Sequence, residues 1–517
     1  MKYFNVAGPC NKEKHYMIES SSRLDGVEQL VDMEQYFVIH AARQSGKTTY
    51  LLDLTKKLNA EGKYYAVYCS LEELQGIKDF EKGIPIVIES LKEALFLCNV
   101  PNSDDFAKNM NNTMASALRI ELTKYCRNLD KPLVVFFDES DCLSDNTLIS
   151  FLRQLRLGYV TRTLASFVHA VALVGMRNIR DYIANVRDEK ESLGSASPFN
   201  ISTKAMTLKN FTKEEITSLY KQHTEETGQL FEKEAIDYIF EQTCGQPWLV
   251  NAVAREIIVE MLQSDYSQTI TAEMAKIAIQ TIIFRRDTHI DSLLERLKEE
   301  RVRKVIEPML IGNEYYDRLS DDYQYVRDLG LIKEFETKII PSNPIYAEVI
   351  LRTLTYEAQL KLTNEKPDFT IPRYLKNGTI DVNYLLSDFQ QFWRENSAIW
   401  IEKILYKEAA PHLILHAFLQ RVINGGGDIK REMVAGTGRL DLGIVYENKQ
   451  YPIEIKLWKG EQYYQEGLKQ TARYVDIFGC KEGWLVILDQ REDKTWTEKI
   501  YNKQEIVNHV VINVFGI

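Results

Sequence analysis

Eight residues constrain this chain more than any other stretch: Ala41-Ala42-Arg43-Gln44-Ser45-Gly46-Lys47-Thr48 stand between a β-rich apolar run, Tyr36–Ala41, and a segment with helical spacing, Thr49–Leu58. A strand that feeds a Gly-Lys-Thr turn and then a helix is the arrangement a phosphate-binding loop requires. Backbone N–H groups from Ala42 to Thr49 can cradle phosphate oxygens, Lys47 reaches the β- and γ-phosphates, and the Thr48 hydroxyl ligates magnesium. The expected cofactors are therefore ATP and Mg2+. Ala41 replaces the first glycine of the pattern; it is small but disfavours positive φ, so the loop can start differently and bind more weakly.

A second motif follows at Leu133-Val134-Val135-Phe136-Phe137-Asp138-Glu139, an apolar run that ends in two carboxylates. A buried strand there delivers Asp138 to the magnesium shell and Glu139 to the attacking water as general base. Tyr64–Cys69, Phe167–Gly175 and Lys204–Leu208 are further short apolar runs, mostly separated by helical stretches. That alternation predicts a mainly parallel sheet covered by helices.

The strand between the two motifs suggests the additional-strand branch of P-loop ATPases, to which AAA+ and STAND proteins belong. Asp138-Glu139-Ser140-Asp141 resembles the DExD form found there, and Val171–Arg177 looks like the strand that ends in a sensor residue, which places Arg177 at the γ-phosphate. Gly245-Gln246-Pro247 resembles the GxP element that brings Pro247 to the adenine face. The run from Phe4 through His15-Tyr16 to the phosphate loop, with Arg285–Asp291 and Asn343–Tyr346, resembles a bacterial family of AAA-like ATP-binding proteins. Members usually carry proline where Ala42 stands. The family implies that His15 and Tyr16 lie near the base.

The second constellation is Gly438-Arg439-Leu440-Asp441-Leu442 followed by Ile453-Glu454-Ile455-Lys456. In a strand over Pro452–Leu457, Glu454 and Lys456 share one face while Ile453, Ile455 and Leu457 take the other. Asp441, on the preceding strand of a hairpin, can converge with Glu454 on a hard divalent cation, and Lys456 can orient the attacking water. These residues resemble the PD-(D/E)XK nuclease superfamily, with Leu440 in place of its proline. Upstream, Glu408 matches the superfamily's helical acid; downstream, Gln470 and Tyr474, four apart on a helix, match its QxxxY element. Glu432 stands open between a ligand and a partner for Arg439. His412 and His416 are read as packing or surface residues.

Length organises these pieces. A chain of 517 residues exceeds what one hydrophobic core supports, about 250–300 residues. The expected fold is α/β and multidomain: an additional-strand P-loop ATPase core over 1–210, a helical lid over 211–285, a winged-helix module over 286–358, a linker and helices over 359–400, and a restriction-endonuclease-like α/β domain over 401–517. The lid is announced by Thr212 and Glu215, a capping box.

A net charge of −10 excludes wholesale electrostatic wrapping of nucleic acid. A local patch remains: Lys403 to Arg473 holds 11 Lys/Arg against 8 Asp/Glu. No window is apolar enough to cross a bilayer, Met1–Glu13 lacks an apolar signal core, and the seven cysteines show no CxxC spacing. A cytoplasmic protein with core thiols and no membrane partner is expected. The combined reading is a nucleotide-controlled, metal-dependent nuclease. The family resemblance implies DNA as substrate and bacterial defence or genome conflict as setting, with a homo-oligomer or a partner protein on the ATPase and winged-helix modules. The alternative is a nucleotide-dependent switch that binds DNA or protein through a non-cleaving nuclease-like domain. A nucleic-acid motor ranks last, because no helicase motif series follows Glu139.

Overall fold

The first sheet has the strand order β5-β1-β4-β3-β2, every neighbouring pair parallel: β1 (Tyr36–His40), β2 (Tyr65–Ser70), β3 (Leu133–Asp138), β4 (Ala170–Gly175) and β5 (Ser202–Thr207). The computed structural model describes the chain except residues 20–22, 109, 176–201, 286–287, 310–316, 336–337, 351, 355–370, 402–409, 424–427, 436–437, 447–448 and 492. For 202–204, 288, 338, 371–372, 398–401, 410, 412–413, 420–423, 428–435 and 438–441 it describes the backbone alone. The strand that sequence order puts between the two motifs, β2, takes the sheet edge. β4 is the strand inserted between β1 and β3.

Alternation explains why these strands read as unbroken apolar runs. Tyr36, Val38, Val135, Phe137, Val171 and Leu173 pack into one core. Phe37, Ile39, Val134, Phe136, Ala172 and Val174 pack into the other. A parallel sheet covered on both faces leaves no strand position for water. Because β1, β3 and β4 run in one direction in register, with His40 opposite Gly175 and Phe137 opposite Leu173, their carboxyl ends reach one edge together. Ligands of open α/β sheets bind at such edges.

The stretch after Phe211 is helical, with helices Lys213–Thr227, Lys233–Thr243, Pro247–Arg255 and Ala272–Arg285. Thr212 and Glu215 form the expected reciprocal capping box. Gly245, between the second and third of these helices, has φ 72, and a Cβ there would stand 1.8 Å from the Phe211 carbonyl oxygen. Gly245→Ala should therefore destabilise the protein by roughly 2–5 kcal/mol, through left-handed strain plus overlap with a backbone atom. A denaturant midpoint equal to that of the unsubstituted protein would refute this.

Further along come helices Thr288–Arg296, Glu300–Met309 and Asp321–Asp328 and the two-stranded pair β6 (Ile332–Phe335) and β7 (Lys338–Pro341), then the short pair β8 (Leu375–Lys376) and β9 (Thr379–Ile380). The chain divides into two compact units: Met1–Asp291 with Leu319–Lys333 and Pro341–Ile345, and Ser292–Arg318 with Glu334–Ile340 and Tyr346–Ile517.

The second unit holds a six-stranded mixed sheet of order β10-β11-β12-β13-β15-β14: β10 (Asp428–Ala435), β11 (Gly438–Tyr446), β12 (Lys449–Leu457), β13 (Glu482–Leu488), β14 (Tyr501–Val507) and β15 (Val510–Gly516). β10 to β13 with the helix Glu461–Ile477 follow a βββαβ order, and the hairpin β14–β15 adds two strands. Asn508 and His509 turn that hairpin, both at positive φ, which suits a tight two-residue turn.

Among the described residues no helix is long and apolar enough to cross a membrane. All seven cysteines are free; Cys69 and Cys126 are buried, but the other five are half-buried, so the expectation of core thiols holds for two.

Candidate functional site

The loop after β1 turns through two left-handed residues, Gln44 at φ 55 and Gly46 at φ 86, into the helix Lys47–Glu61. Gly46 caps that helix with no side-chain hydrogen bond, which suits a helix start shaped for an anion. Lys47 is only 7% exposed. Its ammonium donates to the carbonyls of Ala41 at 3.0 Å and Ala42 at 3.1 Å. Burial lowers its pKa, and the carboxylates Glu139, Asp138 and Asp141 oppose that shift. Ala41, in place of glycine, is buried without positive φ, so the loop starts from ordinary strand backbone.

Across the sheet edge, Thr48 donates its hydroxyl to Asp138 Oδ2 at 2.8 Å. Tyr68 of β2 donates to the same oxygen at 3.1 Å, and the Glu139 N–H donates to Asp138 Oδ1 at 3.0 Å. A hydroxyl beside a carboxylate is an oxygen donor set that fits a small hard cation such as magnesium. Glu139 sits at φ 52, an uncommon conformation for a non-glycine residue and one that clusters at functional sites. Burial first, then Asp141 and Asp138, push its pKa up to about 6. Ser140 ties this turn to β4 through the Val174 carbonyl at 2.8 Å. A Cβ on Gly175 would stand 2.6 Å from Asp141 Oδ1, so a side chain there would displace that carboxylate.

The helical segment after Phe211 reaches the loop through Gln246, the middle residue of Gly245-Gln246-Pro247, and His289 of the Arg285–Asp291 run reaches it as well. Gln246 caps the helix Pro247–Arg255 and donates to the Gln44 carbonyl at 3.4 Å. His289 Nδ1 lies 2.6 Å from Gln44 Oε1, and its ring stacks on Trp248 at 4.9 Å. Burial and then Arg43 lower the His289 pKa to about 3, so the imidazole is neutral at physiological pH. Pro247 occupies the first turn of its helix, where a fixed φ is favourable. The residue of Gly245-Gln246-Pro247 that meets the loop is Gln246. Beside β1, His40 lies 2.8 Å from the Thr207 hydroxyl and 3.8 Å from Asp328, and Gly330 approaches Ala42 so closely that a Cβ would stand 2.4 Å from the alanine's.

His15 and Tyr16 make none of the loop contacts just described. Tyr16 donates to Glu226 Oε2 at 2.8 Å and packs among Phe4 and His223, while His15 Nδ1 accepts the Asn11 N–H at 2.9 Å. The N-terminal segment meets the site elsewhere: Cys10 N donates to Thr49 at 3.0 Å and Trp248 to the Val6 carbonyl at 2.8 Å. Arg177 lies outside the described residues.

The profile of the AAA-like domain family matches residues 7–351, well over half the chain. The chain belongs to the AAA-like domain family. A second profile, Domain of unknown function (DUF8371), matches residues 388–492. Among solved structures, the Walker-type ATPase paby2304 of Pyrococcus abyssi is similar at 14% identity and TM-score 0.47, over 67% of this chain and 99% of that one. Cdc6p from Pyrobaculum aerophilum is similar at 15% identity and TM-score 0.35, over 66% and 96%. The Thermotoga maritima RuvB Holliday junction branch migration motor is similar at 13% identity and TM-score 0.33, over 63% and 91%. No curated protein matches the chain. The family match, with the phosphate loop and the acidic strand end on one sheet edge, gives the AAA-like domain a P-loop ATPase-like core.

Beyond the AAA-like domain, β12 separates its residues by parity. Ile453 and Ile455 join the core that includes Leu442, Trp484 and Val486. Glu454 and Lys456 pair in the sheet with Leu485 and Ile487, which pack on the opposite face against Tyr464, Leu468 and Ala472 of the helix Glu461–Ile477. Glu454 is fully buried and its carboxylate lies 2.6 Å from the Lys456 ammonium. On the same helix Gln470 donates to the Tyr474 hydroxyl at 2.8 Å, and Tyr474 is buried. The antiparallel ladder of β11 and β12 runs from Tyr446–Lys449 to Leu442–Ile453, and Asp441 and Glu454 are the next residues of the two strands beyond it. Glu408 lies outside the described residues, and the side chains of Asp441, Glu432 and His412 lie outside the description; His416 is buried.

Proposed function

We propose that the AAA-like domain binds and hydrolyses ATP with magnesium, and that its nucleotide state governs metal-dependent phosphodiester cleavage by the C-terminal domain, with DNA as substrate in a bacterial defence setting. The loop backbone and Lys47 bind the phosphates, Thr48 and Asp138 hold magnesium, and Glu139 accepts the proton of the attacking water. Arg177 would add a γ-phosphate contact, and Pro247, His15 and Tyr16 the base side. Magnesium supplies charge neutralisation on the phosphates.

A base works when ionised. With the Glu139 pKa raised to about 6, kcat/KM for ATP hydrolysis should rise as pH increases through about 6 and then level off. Glu139→Gln should remove that limb; a limb unchanged in the variant refutes the assignment.

One observation carries the nuclease reading: a buried acid, Glu454, paired with the half-buried Lys456 on the helix-covered face of β12, with Asp441 on the neighbouring strand β11. This is the constellation for holding a hard cation and orienting water. In this reading 401–517 is restriction-endonuclease-like and β6–β7 with the three preceding helices form a winged-helix module that regulates. The close approach of Gly467 to Lys456, where a Cβ would stand 3.2 Å from Cγ, favours a second reading, in which the pair locks helix to sheet and the domain binds without cutting. The test incubates the purified protein with magnesium, with and without ATP, against linear, circular and single-stranded DNA and RNA. Nucleotide-dependent cleavage supports the first reading; binding without cleavage installs the second, and identical cleavage in every nucleotide state refutes the coupling.

A further inference from the structure

We propose that Arg23 is a positioning residue of the phosphate loop, holding the Ser45 carbonyl so that the loop N–H groups face phosphate and tying the loop to the chain that leads into the lid. This rests on the nucleotide-binding reading above. Arg23 is 6% exposed. A buried guanidinium ordinarily has a carboxylate partner, because an uncompensated buried charge is costly. Among the described residues no carboxylate forms a salt bridge with Arg23; Glu215 acts on it only through its charge. Its donors go to backbone carbonyls instead: Nη2 to Ser45 at 2.8 Å and to Lys209 at 2.6 Å, and Nε to Lys209 at 3.1 Å. Its guanidinium carbon lies 4.9 Å from the centre of the Phe211 ring. Burial pulls its pKa down only to about 10, so it remains a cation at neutral pH.

The consequence for the loop follows from peptide geometry. A trans peptide is planar, so its C=O and N–H point in opposite directions. Anchoring the Ser45 carbonyl on Arg23 therefore aims the Gly46 N–H away from the guanidinium. Arg23 also helps to explain the glycine of the motif, since a Cβ on Gly46 would stand 2.9 Å from Arg23 Nη1, in addition to the strain at φ 86.

Lys209 and Phe211 lie just beyond β5, where the chain enters the lid. Phe211 N donates to the Gly245 carbonyl at 2.8 Å, and the next residue, Gln246, donates to the Gln44 carbonyl. Arg23 thus stands where the loop, the end of β5 and the first turn of the lid helix meet. A planar fork suits this joint because one group bonds two carbonyls at fixed angles, which an ammonium on a flexible stem does less well.

The test measures ATP and ADP affinity by calorimetry, kcat and KM for hydrolysis, and melting without nucleotide, on the full chain as wild type, Arg23→Met, Arg23→Lys and Lys47→Ala. Arg23→Met should weaken both nucleotides by about tenfold or more, as expected for losing a charge-assisted hydrogen bond that orients the loop. Arg23→Lys should recover part of that loss while staying at least about threefold weaker than wild type. Variants that melt lower but bind both nucleotides within twofold of wild type would overturn the proposal and leave Arg23 a packing residue. Should Arg23→Met fail to fold, Arg23→Lys decides alone by the same threshold. Wild type that binds neither nucleotide, and so matches Lys47→Ala, overturns the nucleotide reading itself and this proposal with it.

Discussion

Lys47→Ala is expected to lower ATP turnover on the order of 100-fold or more and to weaken ATP binding with it, because it removes a preorganised cation from the phosphate loop. The ammonium is already held at the Ala41 and Ala42 carbonyls, inside a protein wall that leaves it 7% exposed. Little reorganisation is then needed when phosphate arrives, and in so dry a site a charge acts more strongly than in water. Glu139→Gln should separate from it by keeping affinity within a few fold while turnover falls by about 10²–10⁴, the usual worth of a general base. Calorimetry with ATP and phosphate release under steady state distinguish the two. Lys47→Ala that binds and turns over like wild type would remove the phosphate-loop assignment.

The second large effect concerns β12. Lys456→Met should abolish magnesium-dependent cleavage, by about 10²–10⁴, while metal affinity survives. Asp441→Asn and Glu454→Gln should lose metal affinity and cleavage together. The structure changes how the acid must be tested. Glu454 is fully buried against Lys456, so truncation to alanine strands the lysine near the core and risks several kcal/mol of stability, where the isosteric amide keeps shape and a hydrogen-bond acceptor. Cleavage undiminished in Lys456→Met would reject the nuclease centre and install the binding switch.

Much of the ATPase core was legible because its signals are local. The Gly-Lys-Thr turn, the apolar run into Asp138, and the Thr212–Glu215 capping box each act within a few residues, and each stands in the structure where periodicity puts it. The parity of Ile453, Glu454, Ile455 and Lys456 is legible for the same reason, since a strand alternates its faces whatever it packs against. The hairpin β14–β15 carries a weaker sign in the sequence, an Asn-His turn rather than Asn-Gly.

What the sequence by itself determined, then, is which residues can do chemistry: the loop of Ala41 to Thr48, the acids Asp138 and Glu139, and the β12 pair, all specified by neighbours along the chain. Only the tertiary structure decided what surrounds them. It put β4 rather than β2 between the two motif strands, brought Tyr68 to Asp138, and set Arg23, Gln246 and His289 on the phosphate loop from 22 to 245 positions away. Those contacts depend on crossovers and helix packing, whose partners are chosen by the shape and burial of whole layers. No spacing rule within the chain encodes them, because the residues meet only after the sheet and the lid have formed.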